Sequence, residues 1–148
     1  MAAETPQRAA QTDERVFNHA LQLETHSQVE FKDITATLQA LIARSGIKTG
    51  LCHIFVPHTT AAILVNENDD PALQKDLTEF LAKLAPPDLE YHHNDGNCDA
   101  HLKAALIGCS KTMLIENGAL ALGRWQGVFF CEFDGPRRRD LRVKIASD

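Results

Sequence analysis

The stretch Leu51-Cys52-His53-Ile54-Phe55-Val56-Pro57-His58-Thr59-Thr60-Ala61-Ala62-Ile63-Leu64-Val65 decides how the fold is read. Leu51 to Val56 is a short apolar run, and it reads as a strand buried on both faces. Proline has no N–H for a sheet ladder, so the strand ends at Pro57. Ala61 to Val65 is a second strand of the same type. Segments of helical period flank the pair. Upstream, Ile34, Leu38, Leu41 and Ile42 recur at i, i+4, i+7 and i+8, one face of a helix, with Asp33 placed to cap it and Gly46 placed to end it. Downstream, Asp70 caps and Pro71 opens a second helix carrying Leu73, Leu77, Phe80, Leu81 and Leu84 until Pro86-Pro87 stops it.

Working outward, Phe17, Ala20, Leu21 and Leu23 suggest a first strand or hairpin. Tyr91 to Cys98 is a polar, histidine-rich loop containing the turn signature Asp95-Gly96-Asn97. A short helix follows from Asp99, carrying Leu102, Ala105 and Leu106 and ending near Gly108. In the last third, Thr112–Ile115 and Ala119–Leu122 flank Asn117-Gly118, a strong hairpin signal. Val128–Phe133 and Leu141–Ile145 are further strands, joined by the Asp134-Gly135-Pro136 turn. Strands and helices mix early and strands dominate late, which makes the fold class α+β.

The 148 residues suit one domain, taken as residues 15–146, with a frayed tail over residues 1–14. A chain of this size buries roughly 70% of its unfolded surface. The formal net charge is -5 and the basic residues form no long block, which argues against nucleic acid. Arg137-Arg138-Arg139 reads as a solvated turn, with a local anion site as the alternative. Cys52, Cys98, Cys109 and Cys131 share no metal or redox spacing, and Cys52 and Cys131 read as small core residues in a reducing compartment. No run has the length of a membrane span, and Met1 to Glu14 lacks the apolar stretch of a signal peptide, so the expected location is cytoplasmic.

Of seven histidines, His19, His26 and His53 read as surface or satisfied core residues. His58 follows the strand end at Pro57, a position from which a side chain can project into a cleft. His92 and His93 lie in the polar loop, and His101 in the first turn of the helix after it. One residue from a strand end and others from a loop-plus-helix unit could converge on a metal. Imidazole suits zinc, copper, nickel and iron alike. Glu67, Asp69, Asp70, Asp95 and Asp99 are available to accept from the rings and fix their tautomers, although Asp70 and Asp99 also read as helix caps. The competing reading is a loop that is polar because it is exposed, with incidental histidines.

Three groups of residues then resemble the signatures of one family. They are His58-Thr59-Thr60-Ala61-Ala62 with Asn66-Glu67-Asn68 and Asp70-Pro71; Asp95-Gly96-Asn97 with His101-Leu102-Lys103; and Gly123 with Trp125-Gln126-Gly127 and Cys131-Glu132-Phe133-Asp134-Gly135-Pro136-Arg137. Together they resemble the YjbQ family from Phe17 to Ile145. The resemblance implies a compact α+β domain assembled as a homotrimer, with His58, His93 and His101 as metal ligands and His92 outside the set. The expected cofactor is a divalent metal, zinc first and magnesium as the alternative for pyrophosphate chemistry.

The family label of secondary thiamine-phosphate synthase implies a transferase side activity joining an aminopyrimidine pyrophosphate to a thiazole phosphate. The alternative function is a non-catalytic trimeric protein that binds a metal or a small anion. In the enzymatic reading Glu67 and Glu132 are candidate general acids or bases, Glu132 being either buried with a raised pKa or solvent-facing. Lys103 and Arg137 are candidates to neutralise a phosphate. Trp125, beside Gln126, stacks on a flat ring or packs in the core or at an interface.

Overall fold

A computed structural model describes residues 15–148, so the tail expected over residues 1–14 lies outside it. The elements in chain order are β1 (Val16–Glu24), β2 (Glu30–Asp33), α1 (Thr35–Ser45), β3 (Gly50–Phe55), β4 (Ala61–Glu67), α2 (Pro71–Leu84), α3 (Cys98–Ile107), β5 (Ser110–Glu116), β6 (Ala119–Leu120), β7 (Gln126–Glu132) and β8 (Arg138–Ser147). The α+β expectation holds. The strands form a five-stranded antiparallel sheet, ordered β1-β8-β3-β5-β6, and a three-stranded antiparallel sheet, ordered β2-β7-β4.

The three-stranded sheet is the middle layer. Ala61, Ile63, Val128 and Phe130 face a core shared with Cys52, Ile54, Leu141, Val143 and Ile145 of the larger sheet and with Leu38, Leu41 and Ile42 of α1. Ala62, Phe129, Cys131 and Phe133 face a second core with Leu81 of α2 and Ala100 and Ala104 of α3. Alternate residues of a strand point to opposite faces, so burial on both sides demands an unbroken apolar run, and β7 supplies one.

β3 looks the same in sequence and behaves differently. Cys52, Ile54 and Val56 are buried, whereas Leu51, His53 and Phe55 are not, so the strand is buried on one face only. Periodicity cannot separate these cases, because an exposed position tolerates an apolar side chain. The helix faces also need correction. In α3 the buried residues are Asp99, Ala100, Lys103 and Ala104, while Leu102 and Leu106 are exposed. Leu81 is the buried residue of α2, and Phe80 and Leu84 are exposed.

The caps are mixed. Asp70 accepts the Ala72 N–H ahead of Pro71, as expected. Asp33 lies one residue before the cap position of α1 and accepts from the Thr35 N–H and hydroxyl, and Gly46 ends that helix in the left-handed region. Asp99 is no cap, because Asn97 holds that position and Asp99 is buried inside α3. The hairpin signal holds, with Asn117 and Gly118 both at positive φ, although β6 is shorter than expected. Among the described residues no helix is long and apolar enough to cross a membrane.

Candidate functional site

Where β3 stops, β8 continues alone. β3 ends at Phe55, opposite Arg142, and two residues along β8 the Asp140 N–H has no strand partner on that side. His58 supplies one: its Nε2 accepts that N–H at 2.8 Å. The imidazole is therefore pinned to the sheet edge as the tautomer that carries its proton on Nδ1. Burial, and then the Arg139 guanidinium, hold its pKa below the ordinary histidine value.

Arg139 shares the inward face of β8 with Leu141, Val143 and Ile145, and is 5% exposed. It meets Glu132, the last residue of β7, which is 0% exposed. Arg139 Nε donates to Glu132 Oε2 at 2.7 Å, and Nη2 donates to Glu132 Oε1 and, at 2.7 Å, to the Thr60 hydroxyl. The Thr25 hydroxyl donates to Oε2 at 2.9 Å and the Asp134 N–H to Oε1 at 2.9 Å. Four donors thus satisfy one buried carboxylate. Burial alone would push the Glu132 carboxyl up, but the Arg139 bonds, with those from Asp134 and Thr25, hold it below its ordinary value. Glu132 is consequently neither solvent-facing nor raised in pKa. It spends both oxygens on closing the end of the inter-sheet core and fixing Arg139. Arg139 Nη1 takes no part in these bonds.

Above this pair lies an open concavity of about 340 Å³, lined by Pro57, His58, Thr59, Thr60, Asn97, His101, Asp134, Arg137 and Arg139. Arg137 is held at its rim, with Nε donating to the Asp134 carbonyl at 2.7 Å and Nη2 to the Asp134 carboxylate at 3.0 Å. Its Nη1 is likewise uncommitted. Asn97 Nδ2 donates to the same Asp134 carboxylate at 2.8 Å, and Asn97 Oδ1 is buried without a donor. Two guanidinium groups, each fixed by a carboxylate and each with N–H to spare, present bonds that a phosphate or carboxylate oxygen accepts well.

The three expected metal ligands are brought close in part. His58 and His101 line the same concavity, and the His93 ring lies edge-on to His101 with centroids 5.0 Å apart. They do not form a ligand group as placed. His58 spends Nε2 on Asp140, and among the described residues no three His, Cys, Asp or Glu side chains are arranged to hold a metal ion.

The other expected residues separate from this site. Lys103 is buried in an ion pair with Asp99 and lines a different cavity. Glu67 pairs with Gln126 at the far end of the β4–β7 ladder, whose near end is Ala61 opposite Glu132. Six residues of strand put Glu67 and Gln126 about 20 Å from the Glu132 end. Trp125 stands beside them, 51% exposed with the Arg124 guanidinium 5.0 Å from its ring, so it is not a core residue of this chain. From sequence Arg139 appeared only within the Arg137–Arg139 cluster and Thr60 only within the His58–Ala62 signature, and Thr25 was not singled out. Arg139 did carry a signal, since it continues the inward alternation of Leu141, Val143 and Ile145 and so belongs to the strand, not to a solvated turn. Nothing local marks Thr25.

Fold and site define an α+β protein of two stacked antiparallel sheets, with an arginine-rimmed concavity at one end of the core between them. The chain belongs to the YjbQ family: the pattern described as "UPF0047 protein YjbQ-like" matches residues 19–148. The UPF0047 protein MJ1081 of Methanocaldococcus jannaschii is 48% identical over 127 residues, covering 86% of this chain and 92% of that one. The UPF0047 protein YugU of Bacillus subtilis is 43% identical over 126 residues, covering 84% and 96%. Among solved structures, a protein of unknown function from Sulfolobus solfataricus superposes with a TM-score of 0.86 at 36% identity, covering 90% of this chain and 98% of that one. An uncharacterized YjbQ/UPF0047 protein from Clostridium acetobutylicum gives 0.82 at 44% identity, covering 84% and 97%.

Proposed function

We propose that the His58–Arg137–Arg139 concavity binds the phosphoryl or carboxylate end of a small anionic molecule. The observation that supports this most directly is Arg139, a buried guanidinium that lines the concavity, is fixed by Glu132 and Thr60 through Nε and Nη2, and leaves Nη1 uncommitted. Arg137 adds a second spare N–H, and His58, held neutral, adds a donor on Nδ1. In this reading Glu132 positions Arg139 and is not a general base. The thiamine-phosphate synthase activity implied by the family label is the enzymatic form of the proposal, since both of its substrates carry phosphoryl groups.

Titration calorimetry with inorganic phosphate and pyrophosphate tests the binding. Arg137→Gln, a change at an exposed residue, removes a charge-assisted bond worth about 1.5–3 kcal/mol, so affinity should fall about tenfold or more. Unchanged affinity in this variant and in His58→Ala would overturn the site. Turnover with aminopyrimidine pyrophosphate and thiazole phosphate, compared between the natural protein and His58→Ala and His101→Ala, tests the enzymatic form.

A divalent metal is the second reading, favoured by the closeness of His93 to His101 beside His58. It requires His58 to coordinate through Nδ1 or to release the Asp140 N–H. Elemental analysis of protein purified without chelator tests it: stoichiometric zinc that is lost in His101→Ala would establish the metal. The homotrimer is proposed on separate grounds. Val16, Ala146, Leu51 and Leu114 lie in one register row on the outer face of the larger sheet, and Val16, Leu51 and Leu114 are exposed. An apolar row of this kind suits contact with another copy. Sedimentation equilibrium of the natural protein and of Leu51→Glu tests that surface.

A further inference from the structure

A second cavity, mostly apolar in its lining, lies on the other side of the middle sheet, between α2, α3 and the chain leading into β2. It holds about 180 Å³ and is lined by Val29, Leu81, Pro87, Phe133, Asp99 and Lys103, among others. Lys103 Nζ donates to Asp99 Oδ2 at 2.9 Å, and the two side chains are 4% and 5% exposed. An ammonium carries three N–H donors and a carboxylate two acceptor oxygens. Lys103 makes this one hydrogen bond and Asp99 Oδ1 makes none among the described residues. Buried charges require fuller satisfaction than that, and a pair linked by a single bond is no more stabilising than apolar side chains of the same volume. The spare donor and the spare acceptor both belong to residues that line the cavity.

We infer that this cavity is a binding site for a small neutral molecule whose polar head presents an acceptor and an N–H side by side, as a primary carboxamide does. The head accepts from Lys103 Nζ and donates to Asp99 Oδ1. Neutrality follows from the pair: Lys103 and Asp99 cancel, so an anionic or cationic head would leave a net charge buried. Size follows from the volume, which corresponds to about six water molecules at roughly 30 Å³ each, enough for one small ring with its head group. The body of the ligand packs on Val29, Leu81, Pro87 and Phe133. Nothing in this site depends on the Arg137–Arg139 concavity.

The probe is benzamide, with benzoate and benzylamine as matched rings carrying an anionic and a cationic head. In 15N-labelled full-length protein, titration with benzamide should shift the amide resonances of Val29, Thr78, Leu81 and Phe133. Benzoate and benzylamine should bind at least fivefold more weakly. The double variant Asp99→Leu/Lys103→Met replaces the pair with apolar side chains of similar size and should fold, as the dispersion of its spectrum will show. It should lose at least nine-tenths of the benzamide response. The inference is overturned if benzamide causes no shifts, if the three probes bind alike, or if the double variant responds as the natural protein does. Should the double variant not fold, Ala82→Leu, which fills the cavity and leaves the Lys103–Asp99 pair intact, carries the same test.

Discussion

Replacing Glu132 with glutamine changes one atom at the point where the two sheets are tied together. The carboxylate accepts from Arg139 Nε and Nη2, from the Thr25 hydroxyl and from the Asp134 N–H. Glutamine keeps one acceptor oxygen and puts an NH2 where Arg139 donates. The Thr25 hydroxyl can turn to accept from that NH2 and donate to the Arg137 carbonyl, but in either amide orientation at least one Arg139 bond is lost and donor faces donor. The Arg139 charge stays in place, 5% exposed, without its counter-ion. Removing one member of a buried pair typically costs about 3–5 kcal/mol. A chain of this size loses roughly 2–4 °C of Tm per kcal/mol, which gives a drop on the order of 10 °C.

Urea denaturation followed by circular dichroism measures the free energy, and the m-value reports whether the folded state has loosened. The companion variant Glu132→Leu/Arg139→Met should recover most of the loss, because apolar replacement of a whole buried pair is near neutral. A loss below about 1 kcal/mol for Glu132→Gln would refute the reasoning, since a solvated pair is worth no more than that. A double variant no more stable than the single one would point to the shape of the site, with charge playing little part.

Acid should weaken the fold in two stages. The folded-state pKa of Glu132 is depressed, so its contribution is present above the ordinary glutamate value and is lost as pH falls through the lower folded value. The pKa of His58 is also depressed, so its contribution is present above the ordinary histidine pKa near 6.5 and is lost as pH falls through the folded value. Thermal melts from pH 8 to pH 3 check both, and a flat profile in His58→Ala above about pH 5 assigns the upper stage. Gly135→Ala should destabilise strongly, because a methyl group there would overlap the Ser27 carbonyl oxygen and crowd Glu132. Backbone cannot yield as a side-chain end can, and a melting temperature within about 2 °C of the natural protein would contradict the packing at that turn. Gly118→Val should weaken the β5–β6 hairpin, since residue 118 sits at φ 75, and faster exchange of the Ala121 amide, which donates to the Leu114 carbonyl, would report it.

The sequence by itself determined the α+β class, nearly every strand and helix and the turns between them, because these follow from local period, from proline's missing N–H and from glycine's freedom at positive φ. It also singled out His58, His101 and Arg137, which the fold gathers around one concavity. Which face of each element is buried was decided by tertiary structure. Leu51–Val56 and Val128–Phe133 are alike as apolar runs, yet one borders solvent and the other lies between two cores, since burial is set by what a strand is stacked against. The surroundings of Glu132 were decided in the same way. Whether a carboxylate inside an apolar strand titrates high or low depends on what meets it, and Arg139 reaches it from β8, with which β7 shares no ladder, and Thr25 from the connection between β1 and β2.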